Sequence, residues 1–188
     1  RCLSDWSSDV CSSDLFIFAA GSPRLMRREH VRDIVKRLPP GVATVGVFRN
    51  ERPERVVETV QACGLYGAQL HGHEPISEVR WIRARLPFVI QGFAAGDPAL
   101  QAAANGPADV VLIDSPAPGT GRAFDWALAE GAPGGVRLLL AGGLHADGAR
   151  VAERFDRLLG GEMHEVDRPV LVAREEQIAL DHDRLGDR

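Results

Sequence analysis

An α/β fold built on a parallel sheet is what this sequence predicts, and three observations predict it. Apolar runs recur at 15–20 (LFIFAA), 42–48 (VATVGVF), 68–70 (AQL), 88–93 (FVIQGF), 110–113 (VVLI) and 136–141 (VRLLLA), with starts about 20 to 27 residues apart. That period holds one strand, one helix and two short loops. The segments between the runs carry helical spacing. In "REHVRDIVKRL" it places Val31, Ile34, Val35 and Leu38 on one face, and in "EPISEVRWIRARL" it does the same for Ile76, Val79, Ile82 and Leu86. Finally, the strands are apolar throughout rather than alternating, as in sheets covered on both faces and linked by right-handed crossovers.

Two architectures satisfy this pattern, an open doubly wound sheet and a closed (β/α)8 barrel of the TIM type. The strand ends decide between them. Ser22 and Arg24, His71, Asp114, and Gly142 with Gly143 follow the ends of their respective runs. In a barrel these positions converge on one mouth, whereas in an open sheet they spread along an edge. Convergence favours the barrel.

Composition bounds the function. With 188 residues, 45% hydrophobic and 26% charged, the chain can fill one sizeable core. A formal charge of -4, with acids and bases interspersed, gives no basic stripe for a phosphate backbone, so nucleic acid is not expected as a partner. No run approaches the roughly 18 apolar residues of a membrane span, and the start lacks a signal-peptide pattern, so no membrane partner is expected and a cytoplasmic protein is. Cys2, Cys11 and Cys63 have no metal-type spacing and are expected to be reduced. His71 and His73 form an HxH without a nearby third ligand, which rarely makes a zinc site.

The stretch "DVVLIDSPAPGTGRAFDW" (109–126) is the most informative. Its apolar run ends in a carboxylate and then breaks into a glycine-rich loop. A strand built only for packing ends in turn residues, so Asp114 stands where chemistry is expected. Its other reading is a cap or turn carboxylate. Gly119 and Gly121 permit close backbone approach to a ligand. Phe124 and Trp126 read as helix-packing anchors.

Five motifs, "FIFAAGSPR" (16–24), "VGVFRNE" (45–51), "AQLHGHE" (68–74), "LIDSPAPGTGRAFDW" (112–126) and "LLLAGGL" (138–144), stand in order and in register. Together they resemble the second, third, fourth, sixth and seventh strands of phosphoribosylanthranilate isomerase. The resemblance implies an intramolecular aldose-ketose isomerase of tryptophan biosynthesis, a TIM barrel without cofactor or metal. Such an enzyme converts N-(5-phosphoribosyl)anthranilate to 1-(2-carboxyphenylamino)-1-deoxyribulose 5-phosphate by an Amadori rearrangement. That chemistry needs an acid to open the furanose ring, a base to remove the C2 proton, and donors for the phosphate.

By this resemblance Asp114 is the general acid, and it must be protonated when it acts, a state that partial burial favours. Arg24 belongs to an "SPR" arginine whose planar fork suits the substrate carboxylate. His71 shapes the mouth, and Gly142 and Gly143 offer amides to phosphate. The expected partner is a small phosphosugar, and the oligomeric state is open. Alternatives are another ribulose-phosphate-binding barrel isomerase or synthase, and an inert phosphosugar-binding or broken gene product.

The ends depart from the pattern. The family opens on "KICGIT", whose cysteine is the base, and a helix then leads to its second strand. Here "RCLSDWSSDVCSSDL" directly precedes Phe16, a Ser/Asp-rich stretch with neither strand nor helix pattern. Residues 1–15 are therefore expected to be non-native or disordered, 16–159 to form an incomplete barrel of about six native βα units, and 160–188 to be a divergent tail. The family's closing "SSGVE" strand is not found, although "RPVLVA" (168–173) can supply a substitute. Cys63, in "ACG", precedes its strand and is expected at the opposite face from Asp114. As written, the chain is expected to have little activity because the base is missing.

Overall fold

The computed structural model describes residues 13–103, 105–114, 137–141 and 171–172. The chain alternates strand and helix in the order β1 (Ser13–Ile17), α1 (Arg28–Val35), β2 (Ala43–Phe48), α2 (Pro53–Cys63), β3 (Gly67–Leu70), α3 (Ile76–Arg83), β4 (Phe88–Ala94) and α4 (Leu100–Ala103). It continues with β5 (Val110–Asp114), β6 (Arg137–Ala141) and the short β7 (Leu171–Val172). Among the described residues seven strands form one sheet in sequential order, and every pairing is parallel.

This order separates the two architectures. A doubly wound sheet reverses direction at a switch point and puts helices on both faces. Here each strand lies beside its chain neighbour, so right-handed crossovers carry the helices to one side and the sheet curls with them, as in a TIM-type barrel. The register assigns the faces. Phe16, Phe48, Ala68, Leu70 and Val89 pack with Val31, Val56, Val60, Val79 and Ile82 of the helices. The opposite, inner face is filled by Val45, Phe88, Ile90, Val110 and Leu112, with Leu139 and Ala141 against them.

Local chemistry sets the helix limits. Pro53 opens α2, where its missing N–H costs nothing, and Gly64 closes it at φ 70, a left-handed cap that a side chain would strain. In α3 Glu78 lies in the first turn and Arg80 and Arg83 in the last, the charge order that a helix dipole favours. Arg28 of α1 reaches Glu58 of α2 at 2.9 Å, and this hydrogen bond holds the Glu58 carboxyl below its ordinary range.

Four details refine the sequence reading. β1 takes in Ser13 and Asp14 and ends at Ile17, so the strand starts inside the segment assigned to the terminal stretch 1–15. Leu171–Val172 pairs with β6, within the stretch 168–173 that the sequence offered as a substitute strand. Ile76, placed by periodicity on the buried stripe of α3, is 42% exposed because it opens the helix, whereas Val79, Ile82 and Leu86 are buried. Leu15 points to the inner face in register with Val45 but is 54% exposed. Among the described residues no helix is long and apolar enough to cross a membrane.

Candidate active site

Because every strand is parallel, the C-terminal strand ends share one side of the sheet, and two of the predicted site residues meet there. Asp114 is the last residue of β5, in register with Ala94 and Ala141. Alternation along β5 puts Val110, Leu112 and Asp114 on the inner face. The Asp114 side chain is 15% exposed, and its Oδ2 lies 3.6 Å from Nε2 of His71.

His71 follows β3 directly, and its backbone N–H donates to Phe48 O at 2.8 Å, which prolongs the ladder one step past the strand. Its ring must cross β4 to reach β5. Neighbouring strands are about 4.8 Å apart, so β3 and β5 stand near 10 Å from each other. The crossing is possible because β4 offers Gly92 beneath the imidazole: a Cβ there would lie 2.7 Å from Nδ1. Gln69 Nε2 is 3.0 Å from the same nitrogen, Nδ1. In this orientation of the amide its nitrogen donates and Nδ1 accepts.

A second set of contacts holds the loop that leaves His71. The buried Glu74 carboxylate accepts from the backbone N–H of Asn50 at 2.7 Å and of Gly72 at 2.9 Å. Asn50 Oδ1 in turn accepts from His73 N–H at 2.7 Å. Asn50 adopts φ 51, one of the few non-glycine residue types that tolerate it. The loops after β2 and β3 are thus bound to each other through backbone donors. Gly72 is required there, since a Cβ would meet the Asn50 backbone N and Glu74 Oε1 at 2.7 Å.

The remaining candidates are distributed as follows. Arg24 lies in the loop after β1, on the same side of the sheet as Asp114; it is exposed, and its backbone N–H donates to Ser22 Oγ at 3.2 Å. Gly119, Gly121, Gly142 and Gly143 lie outside the described residues, as do Cys2, Cys11, Phe124 and Trp126. Cys63 ends α2 and leads into the N-terminal end of β3, the opposite side from Asp114. Burial pushes its thiol up, so it stays a thiol. Among the described residues no group of three His, Cys, Asp or Glu side chains could hold a metal ion.

The model of the family described as N-(5'phosphoribosyl)anthranilate (PRA) isomerase matches residues 6–160. The chain belongs to this isomerase family. The N-(5'-phosphoribosyl)anthranilate isomerase of Pelobacter propionicus is 36% identical over 144 residues, covering 74% of this chain and 68% of that protein. The crystal structure of phosphoribosyl anthranilate isomerase from Thermus thermophilus superposes with a TM-score of 0.68 at 31% identity, over 86% of this chain and 75% of that one. A phosphoribosyl anthranilate isomerase solved in complex with reduced 1-(o-carboxyphenylamino)-1-deoxyribulose 5-phosphate superposes with a TM-score of 0.63 at 30% identity, over 86% of this chain and 74% of that one. The barrel and the isomerase family expected from the motifs therefore both hold.

Sequence reasoning missed four residues of this arrangement: Gln69, Gly92, Glu74 and Asn50. A polar Gln69 inside an otherwise apolar strand was the available signal for the first. Gly92 inside the run 88–93 was the signal for a close approach.

Proposed function

We propose that Asp114 is the general acid of an N-(5'-phosphoribosyl)anthranilate isomerase of tryptophan biosynthesis, acting on a small phosphosugar at the C-terminal side of the sheet. One observation carries the assignment: a mostly shielded carboxylate ends β5 on the inner face with the His71 imidazole across β4 at 3.6 Å. Family membership supports the reaction, and the relative solved with a reduced carboxyphenylamino-deoxyribulose phosphate supports the ligand class. A cytoplasmic place accords with a soluble biosynthetic intermediate, and the family match over 6–160 supports taking 16–159 as the barrel core.

The steps follow from the chemistry. Protonated Asp114 gives its proton to the furanose ring oxygen as the C1–O bond breaks, and the anilino nitrogen lone pair forms C1=N. A base then removes the C2 proton, and the resulting enolamine relaxes to the ketone. After the first step Asp114 is a carboxylate facing His71. Arg24, on the same side, suits the anthranilate carboxylate through its planar fork. Gly119 and Gly121, which follow β5 in the chain, and Gly142 and Gly143, which follow β6, are the proposed backbone contacts.

The "KICGIT" motif that carries the base in the resemblance does not occur in these 188 residues. The test therefore joins the chain to a family-type first unit and an "SSGVE" closing strand, and scores growth of a tryptophan auxotroph lacking this isomerase. Turnover on freshly generated substrate is measured alongside. In that protein Asp114→Asn lowers turnover at least about 100-fold, since an amide cannot donate as an acid does. Circular dichroism is the check that the variant folds. Full activity of the folded variant removes Asp114 from the role, and substrate-analogue binding without turnover in the parent identifies an inert barrel.

A further inference from the structure

The inner face carries a polar side chain where packing alone calls for an apolar one. Gln69 is a strand residue in register with Val47 and Ile90, and it is 6% exposed. Burying an amide in apolar surroundings is costly unless it is hydrogen-bonded. Its Nε2 is spent on His71 Nδ1 at 3.0 Å.

We propose that Gln69 is a positioning residue that holds neutral His71 in its Nε2–H tautomer, with that proton aimed at Asp114 Oδ2. Three independent contacts define the imidazole. Gln69 donates to Nδ1, which leaves the ring proton on Nε2. Gly92 gives the ring its plane of approach, with a hypothetical Cβ 2.7 Å from Nδ1 and 3.2 Å from Cγ and Cε1. The backbone N–H of His71 is fixed to Phe48 O at 2.8 Å. Nε2 then has one direction to face, toward Asp114 at 3.6 Å.

The catalytic meaning rests on the reading of Asp114 as the acid. An acid works better when the base it becomes is stabilised. An N–H held in place before the reaction greets the developing carboxylate without reorganisation, which is the logic of a preorganised site. In the opposite tautomer a bare Nε2 lone pair would face the carboxylate and repel it. A single buried amide thus selects the useful form of the histidine.

The tautomer can be read in the chain as it exists, without turnover. The uniformly 15N-labelled 188-residue chain is studied by long-range 1H–15N correlation of its imidazoles at alkaline pH. The His71 signals are identified by their loss in His71→Asn. Wild type should show a protonated Nε2 and a bare Nδ1. Gln69→Leu should shift both nitrogens toward the averaged values of a free histidine, and Gln69→Glu should invert the pattern, because a carboxylate accepts from Nδ1–H. Wild type with Nδ1 protonated overturns the proposal whether or not any variant folds, as does a pattern unchanged in folded Gln69→Leu and Gln69→Glu. Because the readout needs no substrate, its failure is separate from failure of the Asp114 assignment, which shows only in turnover.

Discussion

The imidazole of His71 lies over Gly92, where an added Cβ would stand 2.7 Å from Nδ1. Two side chains on strands that do not touch can meet only across the strand between them. β4 permits the meeting because its inner face at that level holds Gly92 and Ala94, in register with Leu112 and Asp114. The approach of His71 to Asp114 thus depends on a missing side chain.

Gly92→Ala should therefore change the site far more than the fold. The atom met is part of a ring that can swing away, so the stability cost is expected to stay under about 1.5 kcal/mol. The displaced imidazole loses Asp114, and turnover in the chain joined to a family-type first unit and closing strand should fall on the order of 10- to 100-fold, as for about an ångström of misplacement. Denaturant unfolding and steady-state kinetics measure the two effects; a variant with unchanged kinetics would show that the ring position is immaterial.

Glu74 ties two loops together through backbone N–H groups of Asn50 and Gly72. In Glu74→Gln one acceptor oxygen becomes an amide nitrogen facing a donor, leaving a shielded N–H unsatisfied. The expected loss is about 1 to 3 kcal/mol in urea unfolding. Gly72→Ala should cost at least as much, since its Cβ meets the backbone N of Asn50 as well as the Glu74 carboxylate. Equal stability of both variants and wild type would mean that the loops do not need this brace.

Cys63 should be chemically silent in the folded protein. It is buried at the end of α2, and burial raises its thiol above the ordinary range. With Cys2 and Cys11 replaced by serine, a maleimide should label it only as fast as the protein opens, and denaturant should abolish the protection. The sign of the linkage is set by the raised value. The thiol's contribution to stability is complete below the unfolded-state value of about 8.5 and is lost as pH rises through the higher folded one. Stability that falls less steeply with alkaline pH in Cys63→Ala than in the parent is the expected difference, and rapid labelling of native protein would contradict the assignment.

Leu15 presents an apolar side chain on the inner face of β1 while 54% exposed. These 188 residues should accordingly bind a hydrophobic dye, and Leu15→Lys should lower that binding while changing unfolding by less than about 1 kcal/mol. Joining a family-type first unit should have the same effect on the dye by covering the residue. Dye binding that neither change reduces would place the exposed apolar surface elsewhere.

The sequence by itself determined the order and kind of the elements, because both rest on near-neighbour periodicity. Parallel strands covered on two faces must read as short apolar runs, and those runs fall on β2 through β6 within one or two residues at each end. It also marked Asp114 and His71, since a polar residue that ends an apolar run is visible without knowing what lies beside it. Ile76 shows the limit of that method: its spacing fits the buried stripe, but a residue that opens a helix can lie beyond the neighbour that would cover it. Only the tertiary structure decided the rest. Gly92 beneath the His71 ring and Glu74 spanning to Asn50 are set by register and by the stagger of adjacent strands, which join residues more than twenty apart in the chain. Local periodicity contains the face on which a side chain lies; which side chain meets it across the sheet is a property of strand pairing, and no spacing within one strand encodes it.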